Sequence, residues 1–330
     1  MRKHIHHIHI IMLIALLTFT VILLAGNILI EKSYLAKPVF WGVSFSPDYA
    51  AALELDPKQT FESILDLGVK NFRLSAYWDQ IEPERDHFEF NDLDYYIKQA
   101  KKHNSKVILA VGYKLPRWPE CRAPHWLKTN ELRERQLIMV RRTIEYYNED
   151  TTISAFQIEN EPLLPFGNCP PVDRKFLHEE INMVKSISKK PVIITDGGEF
   201  RPWRTPMMLS DIFGTTLYRK VYSRRFGDFY YPIPPWAYRV KSDLVKKVFA
   251  PENQKTIISE LQAEVWAGTD VKNIPISDQI DRFSLDELKN NIHFARKSGF
   301  DEIYLWGIEW WYYLAKNGHP EYLEYAKGLF

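Results

Sequence analysis

The chain has 330 residues, 45% of them hydrophobic and 26% charged, with a formal net charge of +1. That length fits one large domain plus an N-terminal appendage, and the balanced charge lacks the basic excess by which nucleic-acid binders hold phosphates. The 10 Trp, 18 Tyr and 19 Phe exceed the needs of a core this size, so some rings are available to a ligand.

Residues 1–7 form a basic, His-rich segment, and residues 8–30 an apolar stretch long enough to span a bilayer. This stretch is longer than the core of a cleaved signal peptide, and Ala25-Gly26-Asn27 is a poor cleavage site. An uncleaved transmembrane signal anchor is therefore expected over 8–30, with a linker over 31–38. Arg2 and Lys3 are balanced by Lys32 and Lys37, so the positive-inside count does not set the orientation. His4, His6, His7 and His9 need no metal, since a charged leader accounts for them.

From residue 39 to 330, short β-branched or aromatic runs alternate with longer amphipathic segments, the pattern of βα units around a parallel sheet. Strands are expected at 39–46, 70–75, 106–112, 153–159, 191–196, 211–217, 255–259 and 302–307. Helical patterns lie between them at 57–67, 93–103, 130–147, 173–188, 237–249 and 285–298. Eight such units, with no G-x-G-x-x-G phosphate loop, predict an α/β fold of the (β/α)8 TIM-barrel type rather than an open doubly wound sheet. Two units are irregular: residues 199–210 carry two prolines, and closure after the last strand falls to a short helix at 321–327.

In such a barrel the reactive groups sit at the C-terminal strand ends. The fourth strand runs out through Glu159-Asn160-Glu161-Pro162 and the seventh through Ser259-Glu260-Leu261-Gln262. Glu161 and Glu260 are 99 residues apart (260 − 161), three units of about 33 residues in an eightfold barrel. Two carboxyls facing one another across a mouth suit retaining glycosidic cleavage, one attacking the anomeric carbon and one protonating the leaving oxygen. Asn-Glu-Pro alone is also a helix-start signal, and it is the pairing with Glu260 and with Arg73 inside an apolar strand that favours chemistry. Glu159 and Glu264 are rival carboxylates, one a step inside the strand and the other beyond it.

Asn160-Glu161-Pro162 after a hydrophobic strand, with Glu260 ending a later one, resembles the clan A glycoside hydrolases, most of all glycoside hydrolase family 5, over residues 39–315. The resemblance implies that Glu161 is the acid/base, Glu260 the nucleophile and Asn160 the holder of the sugar 2-hydroxyl. It further implies that Arg73 keeps the nucleophile ionised, that Tyr218 hydrogen-bonds it, and that Trp306 floors the reacting sugar. The segment Tyr77-Trp78-Asp79-Gln80-Ile81-Glu82-Pro83 resembles the second βα loop of the clan. The His-x-Tyr pattern that many family 5 members carry at the sixth strand is missing. A β-linked glycan is the substrate class the clan implies.

Trp78, Trp118, Trp266, Trp310 and Trp311 follow strand ends and are candidates to stack on sugar faces or, equally, to pack the loops, with Glu309 on the same rim as a candidate for a sugar hydroxyl or for a structural salt bridge. Lys114 and Arg117 in the third loop could bind substrate hydroxyls or an acidic sugar, with solvated charge the better reading. Cys121 and Cys169 follow the third and fourth strands on one side of the fold, so a disulfide is expected if the domain is exported. No cofactor and no metal are expected, because His87, His103, His125, His178, His293 and His319 are scattered without ligand spacing. The whole reads as a membrane-anchored, monomeric, extracytoplasmic glycosidase of β-linked glycans without a nucleic-acid partner. A tethered glycan-binding protein without turnover and a transglycosylase using the same carboxylates are the rival readings.

Overall fold

Eight parallel strands close on themselves in the order β1-β10-β9-β6-β5-β4-β3-β2. They are β1 (Phe40–Ser44), β2 (Asn71–Ala76), β3 (Lys106–Val111), β4 (Ile153–Ile158), β5 (Val192–Asp196), β6 (Ile212–Leu217), β9 (Lys255–Gln262) and β10 (Glu302–Trp306). An antiparallel hairpin of β7 (Lys220–Ser223) and β8 (Gly227–Tyr230) projects after β6. This computed structural model describes residues 31–35, 37–165, 169, 173–223, 227–251, 253–266 and 269–330, with three isolated positions before residue 31. The basic segment 1–7 and, but for those positions, the expected anchor 8–30 lie outside the described residues. Among the described residues no helix is long and apolar enough to cross a membrane.

The strands read as near-continuous apolar runs because both faces are covered, by helices outside and by side chains inside. Outward residues such as Val43, Phe72, Leu109, Phe156, Ile194 and Phe213 join the core beneath the helices. Facing inward near the base, Ile108, Ala155, Ile193, Ile257 and Tyr304 form a separate plug. Tyr304 fills so much of that interior that a Cβ on Gly42 would stand 2.6 Å from its ring, so β1 passes there only as glycine. Toward the other end the interior turns polar: Arg73, Gln157, Thr195 and Ser259 are all buried.

Helix starts follow local chemistry. Asp56 accepts from the Gln59 N–H to cap Pro57–Asp66, and Ser284 accepts from the Glu287 N–H to cap Leu285–Lys297. After β10 the sequence predicts only a stub at 321–327, yet Ile308–Lys316 forms a helix before Glu321–Ala326. Its Glu309, Trp310 and Trp311 are fully buried, and that unusually apolar surface hides the 3.6-residue period on which a helix reading depends. Residues 199–210 include the helix Arg204–Leu209, and the hairpin after β6 was not expected.

Candidate active site

Arg73 projects inward from β2, only 2% exposed, and an unpaired guanidinium there would be costly. It is fully engaged. Nη1 donates to Glu260 Oε1 at 2.7 Å, Nη2 to Asn160 Oδ1 at 2.7 Å, and Nε to Gln157 Oε1 at 2.7 Å. One side chain thus ties β2 to the ends of β4 and β9. The other Glu260 oxygen accepts from the Tyr218 hydroxyl at 3.0 Å, so both carboxylate oxygens are held by donors.

Glu161 lies just past β4, three strands round the barrel from β9, in a backbone with φ +44. Its N–H donates to Thr195 Oγ1 on β5 at 2.9 Å, and its carbonyl accepts from Lys114 Nζ at 3.2 Å. Its carboxyl comes within 3.5 Å of the place a Cβ on Gly197 would take, beyond β5. Burial pushes the Glu161 pKa well up, and the Glu260 carboxylate pushes it further in the same direction, against the Lys114 ammonium. The pair therefore has opposite surroundings: Glu260 is bound by a guanidinium and a phenol, whereas Glu161 is desolvated beside another acid.

The loop after β3 contributes more than its sequence suggests. Lys114 and Arg117, expected as solvated charge, are drawn inside. Lys114 is 2% exposed, donates to the carbonyls of Glu161 and Leu164, and lies 3.3 Å from Glu120 Oε2. Burial raises the Glu120 carboxyl to about 7, Lys114 opposing and Glu260 reinforcing the shift. Arg117 slots between the rings of Tyr49 (3.9 Å) and Trp306 (4.1 Å) and pairs with Glu264 and Glu309. Together Arg73, Arg117, Trp306, Tyr77 and Ser46 line a cleft at the mouth. These loop residues could be found only through the Pro116-Arg117-Trp118-Pro119 run, which signals a tight turn but not where it reaches.

Several expected contacts are placed differently. Trp78 is fully buried, its indole N–H donating to Glu82 and its ring edge-on to Tyr113, so it presents no surface to a ligand. Glu309 is also fully buried, accepting from the Ser46 N–H at 2.6 Å and pairing with Arg117, so it sets an arginine rather than meeting a sugar. Trp310 and Trp311 are core residues whose indoles donate to Gln279 and Ala263. Trp306 stays at the cleft, but one face carries Arg117. Trp266 stands edge-on to Tyr218, and Trp118 is 65% exposed on the third loop. Of the rival carboxylates, Glu264 pairs with Arg117, and Glu159 accepts from the backbone N–H groups of Tyr113 and Lys114, both at 2.7 Å. That clasp explains Gly112: a Cβ there would stand 2.4 Å from the Glu159 carboxylate, and φ is +150. Cys121 and Cys169 are joined in a disulfide that pins the β3 and β4 loops together. Among the described residues no group of three or more His, Cys, Asp or Glu could hold a metal ion.

The closed βα barrel thus sets an arginine-held carboxylate on β9 and a buried carboxyl of raised pKa after β4 at one mouth. A family model described as beta-galactosidase, Glyco_hydro_42, matches residues 54–151, and no curated protein matches by sequence. Among solved structures, GH5_18 from Bifidobacterium longum subsp. longum aligns with TM-score 0.59 at 12% identity, over 82% of this chain and 70% of that one. Endo-glycoceramidase II from Rhodococcus sp., as its lactosyl-enzyme intermediate, aligns with TM-score 0.53 at 12% identity, over 82% and 73%. A polyextremophilic beta-galactosidase from the haloarchaeon Halorubrum lacusprofundi aligns with TM-score 0.53 at 14% identity, over 80% and 52%. At these identities the solved structures speak for the fold; with the family-model match they point to a clan A glycoside hydrolase, cellulase-like in its barrel.

Proposed function

We propose that the protein is a retaining glycoside hydrolase that cleaves a β-linked oligo- or polysaccharide by double displacement. Glu260 attacks the anomeric carbon while Glu161 gives its proton to the leaving oxygen. Glu161, then ionised, takes a proton from water, and that water displaces Glu260 from the sugar. The observation that carries this reading is the opposite electrostatic setting of the two carboxyls. Glu260 has one oxygen on the Arg73 guanidinium and the other on the Tyr218 hydroxyl, while burial and the neighbouring Glu260 raise the pKa of Glu161. Asn160 Oδ1 is taken by Arg73, which leaves its amide N–H for the sugar 2-hydroxyl. Trp306, Trp266 and the exposed Trp118 supply ring surface at the mouth.

Carbohydrate as the ligand class agrees with the neighbours, whose structures include a lactosyl-enzyme intermediate and GH5_18 from Streptomyces cattleya in complex with GlcNAc (TM-score 0.55, 11% identity, over 82% of this chain and 71% of that one). The Cys121–Cys169 disulfide and the apolar stretch 8–30 support a membrane-anchored, extracytoplasmic catalytic domain.

Leaving-group dependence tests the assignment of Glu161. Glu161→Gln should lower kcat/KM for a glycoside with a poor leaving group by about 10³-fold and spare kcat/KM for an activated dinitrophenyl glycoside, whose first step needs no proton, while slower hydrolysis of the glycosyl-enzyme lowers its kcat. Azide should restore turnover in Glu161→Ala and yield a glycosyl azide of retained configuration. Equal losses on both substrates would contradict the acid role.

A further inference from the structure

The base of the barrel, opposite the mouth, carries a surface that the glycosidase reading does not use. The helix Pro235–Phe249 starts on the mouth side, where the Tyr238 hydroxyl bonds Glu199 beyond β5, and descends to the base. There the Ser242 hydroxyl meets that of Thr256 at the start of β9, and Lys246 Nζ donates to the Gln254 carbonyl just before it. Along its outer face Val240, Leu244 and Val248 recur at i, i+4 and i+8, exposed by 44%, 61% and 68%. Phe249 at its end and Met208, near the base end of Arg204–Leu209, are also exposed. Arg204 stacks on the Phe249 ring, and Lys247 is exposed on the same turn as Leu244 and Val248. An apolar stripe edged by cations is not the surface a solvent-facing barrel helix needs.

The short helical segment 31–35 docks beside this stripe. Lys297 Nζ pairs with Glu31 at 2.9 Å, Arg296 donates to the Leu35 carbonyl at 2.9 Å, and Gly299 leaves room for the Tyr34 ring. Arg239, from the striped helix, donates to the Gly299 carbonyl at 3.2 Å and so joins the two places. Glu31 directly follows the apolar stretch 8–30, so no spacer separates that stretch from the base.

We propose that the base of the barrel is a bilayer-docking surface, in which Leu244, Val248 and Phe249 enter the headgroup–acyl boundary while Lys247 and Arg204 meet anionic headgroups. This rests on the reading of 8–30 as a membrane anchor. The docked barrel would turn its mouth away from the membrane, toward glycans in the surrounding medium rather than headgroups of the same bilayer.

The test uses the full chain reconstituted in vesicles of phosphatidylcholine with phosphatidylglycerol. A bimane is attached at Val248→Cys or, on the mouth side, at Thr129→Cys, and quenched by lipids carrying a headgroup nitroxide. The expected result is loss of most of the fluorescence at 248 and none at 129, with the chain retained after alkaline carbonate extraction. Retention with an unquenched 248 label would overturn the docking surface while leaving the anchor intact. A 248 label that instead self-quenches with protein density would identify a second copy as the occupant and equally overturn it. Release by carbonate would remove the anchor and the docking surface together. Aryl-glycoside turnover by Leu244→Glu should stay unchanged in every case, so a failure here is distinct from failure of the glycosidase reading.

Discussion

Two buried arginines divide the mouth between them, and they reach it by different routes. Arg73 comes from the middle of a barrel strand and grips Glu260, Asn160 and Gln157. Arg117 comes from a loop with φ +81 and is held between two rings and two carboxylates, Glu264 and Glu309. The first arginine holds the proposed nucleophile, and the second lines the cleft beside Trp306. A strand fixes a side chain by its two-residue period, whereas a loop must clasp its own: Glu159 accepts from two loop N–H groups and the disulfide ties the tip.

The largest effect should come from the strand arginine. Arg73→Met leaves Glu260 buried without its cation, and kcat/KM should fall about 10³-fold, roughly 4 kcal/mol of transition-state stabilisation. Steady-state kinetics on an aryl glycoside measures it, and a loss near tenfold would reduce Arg73 to scaffolding. Arg117→Met should act differently, raising KM about tenfold with kcat less affected and lowering stability by about 3 kcal/mol, because two carboxylates lose their partner. Denaturant unfolding beside the kinetics separates the two losses. If kcat falls as far as in Arg73→Met, the division between the arginines disappears.

A smaller change sharpens the Arg73 side. Tyr218→Phe removes one donor to a charged oxygen, worth about 1.5 kcal/mol, and should lower kcat about tenfold with the fold intact. The pH profile bears on Glu161. Because its pKa is raised by burial and by Glu260, activity should decline as pH rises through that raised value, and the decline should vanish in Glu161→Gln assayed with an activated substrate.

The smallest effect lies beneath the Arg117 loop, where Gln136 Nε2 bridges Glu159 and Glu180. Glu180 is fully buried, one oxygen has no hydrogen-bond partner, and burial with the Glu159 charge raises its pKa well above the usual carboxylate range. A raised carboxyl contributes fully below its unfolded pKa, and that contribution is lost as pH rises toward the folded value. Glu180→Gln should therefore stabilise by about 1 kcal/mol near pH 8 and leave stability near pH 5 little changed. Thermal melts at both pH values check this; an equal shift at both would deny the titration.

The same contrast explains what could be read from the residues alone. The eight strands follow from periodic apolar runs, and Glu161 and Glu260 from the rule that strand ends carry function, whereas Asn160, Tyr218 and the role of Arg73 come only from the resemblance to the clan A hydrolases. The disulfide followed from two loops on one side of the barrel. Trp78, Trp310 and Trp311 misled because a tryptophan just past a strand end can turn inward as easily as toward a ligand, and only their indole N–H partners decide it. For Glu309 the salt-bridge alternative holds and the sugar contact does not, its partner Arg117 lying 192 residues away in the chain. Glu120 was illegible, and solvated charge was the wrong preference for Lys114 and Arg117, because nothing periodic records how far a loop folds back over the mouth.

Trapping the covalent intermediate bears most directly on the central claim. A 2-deoxy-2-fluoro glycoside with a dinitrophenyl leaving group, built on the sugar that turns over best, should inactivate the enzyme with one equivalent of dinitrophenol released. Peptide mass spectrometry should then find the fluorosugar on Glu260. A fluorosugar on Glu161 or on any other residue, or turnover without an intermediate and with inverted product, would contradict the account.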